Sequence, residues 1–211
     1  MRESVWPYLR PMHLNTLVVA VTWELLEPAP GRFDFSLPDG LIRQAEAEGV
    51  KLVFLWFGLW KNGMSTYVPE WVKQDRKTYF VMRNRSGKPV NAVSPLCGAG
   101  VERDAAAFAA LMAHLRDFDV NRTVLMVQVE NEIGLLGDCR DFSPAAEQAY
   151  AAALPDDAAD FCGARGTWDE VFGSEAPELF MTYHYAKATQ QIATAGKAAY
   201  PIPLYVNAWL E

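Results

Sequence analysis

The chain has 211 residues, 51% of them hydrophobic and 21% charged, with a formal net charge of −7; this is the composition of a globular protein with ample core material, and it excludes a disordered chain. An acidic chain without any Lys/Arg run interleaved with aromatics argues against a nucleic-acid partner, and no apolar run approaches the ~20 residues that cross a bilayer. Three cysteines (Cys97, Cys139, Cys162) and three histidines (His13, His114, His184) are scattered, with neither CxxC pairs nor metal-ligand spacing, so no zinc site, disulfide framework or other metal centre is expected.

The N-terminal segment MRESVWPYLRPMHLN carries Arg2, Glu3 and Arg10 among its apolar residues, lacks the continuous apolar stretch of a signal peptide and reads as a helix. Residues 15–23, NTLVVAVTW, form the first β-branched run and the first expected strand. A helix should follow, capped by Ser36 with Asp39 in capping-box position, an apolar face of Leu41, Ile42 and Ala45, and Gly49 as its stop. Residues 51–58, KLVFLWFG, are the second strand, and a long excursion over residues 60–102 comes next. Phe108, Leu111, Met112, Leu115 and Phe118 recur at three- and four-residue steps and make one apolar helix face. The third strand is TVLMVQVEN, residues 123–131, followed by a second excursion over residues 134–177. A long helix opens near Pro177 and closes around Gly196, and the fourth strand is IPLYVNAW, residues 202–209.

Apolar strands alternating with helices make a parallel sheet covered by helices, either doubly wound or a (β/α)8 TIM barrel. No GxGxxG or Walker A pattern follows any strand, which removes the dinucleotide and nucleotide folds and with them any expected cofactor. Each strand ends instead in polar or aromatic residues: Trp23 and Glu24, residues 60–62, residues 130–132 and residues 207–209. Such residues at the C-terminal ends of several strands are the pattern of a barrel enzyme. Four strands are half a barrel, and a whole one takes about 250 residues. Residues 1–211 are therefore read as a partial catalytic (β/α)8 domain of a longer polypeptide; the alternative is a half-barrel that self-associates to cover its open edges.

Glycoside hydrolysis needs a carboxylic acid to protonate the leaving oxygen and a second carboxylate to attack carbon or activate water. A carboxyl held among apolar walls at a strand mouth suits the acid role, and Glu132 is the candidate. Asn131 beside it can donate to and accept from a sugar hydroxyl. Glu130 faces the same side only if the strand stays regular. Trp23, Trp56, Trp60, Trp71 and Trp209 cluster at strand ends; each taken singly suits a core, and together they suit a cleft for pyranose rings.

These residues carry a resemblance. QVENEIG, residues 128–134, looks like the acid/base signature of the barrel β-galactosidases of glycoside hydrolase families 35 and 42, in which the Glu after Asn is the proton donor at the end of strand four. TWELLEPAPGRFDFS, residues 22–36, is similar to their W-x-x-x-E-P-x-x-G-x-F-D-F segment after strand two, and LWKNGMSTYVPEWV, residues 59–72, resembles the family 35 segment after strand three. The resemblance implies a glycosidase acting on carbohydrate, with Glu132 as acid/base and Asn131, Glu24, Trp56, Trp60, Asn62, Asn207 and Trp209 as sugar contacts. It also numbers the strands two to five and puts strand one, strands six to eight and the nucleophilic Glu outside the chain, which alone should be inactive. A periplasmic or secreted setting is favoured over a cytoplasmic one for the complete protein. Departures fall on sugar-contacting positions: Leu59 replaces a glutamate, and Glu24, Leu25 and Leu26 stand where family 35 has Asn-x-His. Galactose is thus carried over from the family, with Glu24 as either a hydroxyl ligand or a loop residue and Glu27 as a structural residue. An endo-glycanase of the same clan and a non-catalytic sugar-binding barrel are the competing readings.

Overall fold

A strand that is apolar on both sides is stable only when both faces are covered, and in the computed structural model, which describes residues 5–207, the four runs lie side by side in one sheet. The chain enters through a single helical turn, α1 (Trp6–Leu9), with Pro7 in its first turn and Pro11 just beyond. Among the described residues the expected N-terminal helix is confined to this turn, because proline cannot continue it. β1 (Thr16–Thr22) runs directly into the one-turn α2 (Trp23–Leu26). In α3 (Ser36–Glu48), Ser36 is the first helical residue and not the cap. Phe35 holds the cap position, its ring stacked on His114 at 3.9 Å, while Asp34 accepts the Ser36 N–H and Asp39 turns outward to His114. Gly49 ends the helix as expected, in the left-handed conformation (φ 68°).

β2 (Lys51–Lys61) is longer than expected. The first excursion folds as α4 (Glu70–Gln74) and an antiparallel hairpin of β3 (Val81–Arg83) and β4 (Pro89–Val93). After α5 (Gly98–Phe118) and β5 (Val124–Asn131), the second excursion holds α6 (Pro144–Ala151), α7 (Asp156–Cys162) and α8 (Trp168–Phe172). α9 (Ala176–Ala199) begins with Pro177 in its first turn and runs slightly past Gly196, and β6 (Leu204–Tyr205) follows. Trp209, expected at the end of that last strand, lies outside the described residues.

The sheet order is β1-β2-β5-β6, all parallel, so the C-terminal ends of the strands share one rim. On one face, Phe54 and Trp56 of β2 and their register partners Val127 and Val129 of β5 are sealed by Ile42, Ala45, Phe108, Leu111 and Leu115 from α3 and α5, all buried. Each large side chain so covered contributes about 1.5–3 kcal/mol. Past the Trp56–Val129 pair the register breaks, and Lys61 next pairs with Asn131. β2 thus bulges over the end of β5, where the candidate acid lies.

Candidate active site

β5 does not end as a regular strand. Glu130 (φ 60°) and Glu132 (φ 48°) are left-handed, as is Asn62 (φ 54°) at the end of β2. For residues with a Cβ such conformations cost roughly 1–3 kcal/mol and persist where neighbours hold them. Here Gln128 Nε2 donates to the Glu130 carbonyl (2.8 Å) and to Asn131 Oδ1 (2.9 Å). The bulge of β2 is laced to the same residues, with the Asn62 N–H on the Asn131 carbonyl and the Gly63 N–H on the Glu132 carbonyl, both at 3.0 Å. The alternation that would place Glu130 and Glu132 on one side is lost: the Glu130 side chain is fully buried and Glu132 is half-buried at the rim.

Four of the expected site residues meet. Asn131 Nδ2 donates to Asn62 Oδ1 (3.0 Å), Asn207 Nδ2 to Asn131 Oδ1 (3.3 Å), and the Glu132 N–H to Asn207 Oδ1 (2.8 Å). Three adjacent strand ends thereby present amides, each able to donate and accept, around one carboxylate. Gln128 completes this network and was not anticipated; its signal was a polar side chain inside an apolar run. A cavity of about 690 Å³ opens beside the rim, lined by Ile133, Gly134, Asn207 and α9 residues such as Met181 and Tyr185; Glu132, Asn131 and Asn62 do not line it.

Beneath the bulge sits a second, hidden pair of acids. Asp104 reaches up from α5 and Glu130 down from β5, both fully buried. Asp104 Oδ1 accepts the Trp56 indole N–H and Oδ2 the Leu59 N–H, each at 2.7 Å; Glu130 Oε2 accepts the Trp60 N–H (2.7 Å) and Oε1 shares the Leu59 N–H (3.2 Å). Loss of hydration and then the Asp104 charge push the Glu130 carboxyl well above the usual range. Burial also raises Asp104, against the opposing pull of its hydrogen bonds with Glu130, Trp56 and Leu59. Asp104 escaped the sequence reading, although an acid in the apolar stripe of Val101, Ala105 and Phe108 was the available clue.

The aromatic reading is corrected. Trp56 and Trp60 are fully buried, their indole N–H groups held by Asp104 and the Val93 carbonyl (2.9 Å), so neither offers a face to a sugar. Trp56 keeps the regular strand alternation and packs beside Phe108 of α5, whereas Trp60, past the register break, lies under the hairpin. Trp23 is buried too, donating to Glu27 Oε2 (2.8 Å), and Trp71 packs edge-on against it. Glu27 is structural as expected: it is buried, caps the Gly31 N–H (2.7 Å) and pairs with Arg103 at 2.6 Å. Glu24 stands beside the end of β1, half-buried and paired with Lys73 at 3.2 Å, outside the amide network. Among the described residues no group of three or more His, Cys, Asp or Glu is arranged to hold a metal ion, and no helix is long and apolar enough to cross a membrane.

Comparison with known proteins places this rim in context. Residues 6–182 match the family model of glycoside hydrolase family 42, described as Beta-galactosidase. Among solved structures, the chain is similar to a β-galactosidase from the haloarchaeon Halorubrum lacusprofundi (TM-score 0.71, 17% identity, 96% of this chain and 33% of that one). It is equally similar to a β-galactosidase from Bacillus circulans sp. alkalophilus (0.70, 13%, 98% and 34%). A family 42 β-galactosidase from G. stearothermophilus follows (0.67, 18%, 96% and 32%). The chain spans about a third of the length of these structures. No curated protein matches the sequence. The fold is a partial (β/α)8 barrel.

Proposed function

The chain belongs to the glycoside hydrolase 42 β-galactosidase family, and from that premise we propose that the protein is a retaining glycosidase that removes a terminal β-linked sugar of galactose type from oligo- or polysaccharides. Glu132 is its acid/base. The four parallel strands are strands two to five of the barrel, and the nucleophile is a glutamate of strand seven outside these 211 residues.

One observation carries the role of Glu132: it is the carboxylate at the rim of β5, with its backbone N–H on Asn207, its carbonyl on Gly63, and the Asn131 amide beside it. A proton donor must keep its geometry while charge moves, and a backbone pinned at both ends achieves this. In the first step the Glu132 carboxyl gives its proton to the glycosidic oxygen as the C1–O bond breaks and the nucleophile bonds to C1. In the second, the Glu132 carboxylate takes a proton from water as the water oxygen bonds to C1 and the glycosyl ester breaks, which restores both carboxyls and retains the β configuration. Asn131 Oδ1 is taken by Gln128 and Asn207, so Asn131 offers its second Nδ2 hydrogen and Asn62 its Nδ2 group to the sugar hydroxyls.

The test is Glu132→Gln in the full-length protein. For alkyl glycosides, whose leaving group needs a proton, kcat/KM should fall by about 10²–10⁴-fold, the usual worth of general acid catalysis. Aryl glycosides with acidic phenols should lose far less. Equal losses on both would remove Glu132 from the acid role.

A further inference from the structure

The reaction uses Glu132 and leaves the buried Asp104–Glu130 pair without a part. We propose that Glu130 is a neutral carboxylic acid whose hydroxyl donates to the Asp104 carboxylate, and that this one-proton pair is the positioning device that folds the bulge of β2 over the end of β5 and sets Asn131 and Glu132. Its catalytic consequence rests on the reading of Glu132 as acid/base.

Counting donors against oxygens supports the assignment. Leu59 has one N–H, and two carboxyl oxygens from different elements converge on it: Asp104 Oδ2 at 2.7 Å and Glu130 Oε1 at 3.2 Å. Both residues are fully buried, so two bare anions aimed at one hydrogen would repel strongly in a low-dielectric interior. A single proton on the line between them removes the repulsion and makes a charge-assisted hydrogen bond. Its place follows from the other contacts. Both Asp104 oxygens already take short bonds, from Trp56 and Leu59, whereas Glu130 Oε1 has only the long, shared one. The proton therefore rides on Glu130 Oε1. Burial and the neighbouring Asp104 charge favour the same state.

The backbone is built around the pair. A Cβ on Gly58 would stand 2.3 Å from Asp104 Oδ2 and 2.5 Å from Glu130 Oε1, so the main chain of β2 passes over the two carboxyls at a distance that only glycine permits. Leu59 and Trp60 donate down into the pair, and the chain then runs on to Asn62 and Gly63, which grip Asn131 and Glu132. The shared proton thus joins α5, β2 and β5 directly under the acid. Among the described residues Tyr185 of α9 also feels the pair, its phenol pushed up by burial and by the charges of Asp141 and Glu130.

Infrared difference spectra of the wild type against Glu130→Gln in the full-length protein test the protonation state. The expected result is an un-ionised carboxylic acid band at neutral pH that the variant lacks; absence of the band overturns the proposal. Kinetics test the positioning. Glutamine keeps an acceptor for Trp60 and presents an N–H to Asp104, so Glu130→Gln should recover at least about tenfold of the kcat that Glu130→Ala loses, one good hydrogen bond being worth about that factor. Asp104→Asn must set its NH2 against the Trp56 or Leu59 N–H and should lose kcat with little change in KM. Equal damage from Gln and Ala at position 130 also overturns it. Failure of the Glu132 reading would show instead as indifference of Glu132→Gln to the leaving group, and would leave the infrared band untouched.

Discussion

Gly58→Ala is the sharpest mechanical probe of the strand-end architecture. The added methyl would stand 2.3 Å from Asp104 Oδ2, 2.4 Å from Trp56 Nε1 and 2.5 Å from Glu130 Oε1. None of these is the free end of a surface side chain; all three are fully buried and hydrogen-bonded. Something must therefore move within a packed interior, at a cost of about 1–3 kcal/mol for overpacking. Breaking one charge-assisted hydrogen bond of the pair adds about 1.5–3 kcal/mol. The sum, about 3–6 kcal/mol, is a large part of the 5–15 kcal/mol that ordinarily holds a domain together. At about 2–4 °C per kcal/mol for a domain of this size, Tm should fall by roughly 6–24 °C. Gly40→Ala in α3 is the matched control: nothing lies within 4 Å of its added Cβ, and alanine in a helix should gain about 0.5–1 kcal/mol. The assay is thermal unfolding of both variants beside the wild type. A Gly58→Ala protein melting within about 2 °C of the wild type would refute the close-packed acid pair.

Trp60→Phe removes the indole donor to the Val93 carbonyl and should cost about 1–3 kcal/mol of stability, with KM unchanged because the ring touches no substrate; a raised KM at unchanged Tm would restore the stacking role. Asn207→Ala strips the acceptor from the Glu132 N–H and should lower kcat/KM by about 5- to 13-fold, a loss of about 1–1.5 kcal/mol in positioning; unchanged kinetics would detach Asn207 from the site. The pH dependence has a fixed sign. Because the Glu130 carboxyl is raised above its ordinary 4.5, the folded chain holds a proton that the unfolded chain has lost, so stability falls as pH rises. Its contribution is complete below that ordinary value and is lost as pH climbs through the raised one. Glu130→Gln cannot titrate, so the Tm of the wild type relative to the variant should decline as pH rises above the ordinary carboxyl value; a constant difference would contradict it.

Long periodic signals were legible in the sequence. The apolar runs of β1, β2 and β5 and the spacing of Phe108, Leu111, Met112 and Leu115 each repeat a single period over enough residues to fix the element, and the alternation of strand and helix then dictates a parallel sheet with one functional rim. Short elements were not. α6, α7 and α8 have too few turns to show a face, and the β3–β4 hairpin is too brief to alternate, although Asn84, Ser86 and Gly87 form its turn, with Asn84 Oδ1 accepting the Ser86 and Lys88 N–H groups. The site was half legible. Asn62, Asn131, Glu132 and Asn207 meet because each ends a strand of one sheet. Trp56 follows the regular parity of Phe54, and strand parity alone does not show which face the helices cover; Trp60 lies past a broken register, which decides which way a side chain faces and which local sequence does not display. Glu130 followed the same logic: two left-handed residues invert a parity that regular strand geometry implies. Asp104 stood out in the sequence only as an acid within an apolar stripe, and its partnership with Glu130 forms when α5 brings it beneath Gly58.

In the proposed reaction Glu132 supplies and recovers the proton while another carboxylate holds the sugar. Chemical rescue of Glu132→Ala in the full-length protein by azide, with an activated aryl β-galactoside, tests it most directly. With the base removed, water attacks the glycosyl-enzyme poorly, whereas azide needs no deprotonation. Azide should restore turnover in a concentration-dependent way, with the β-galactosyl azide as product. Turnover indifferent to azide, or an α-configured azide, would contradict it.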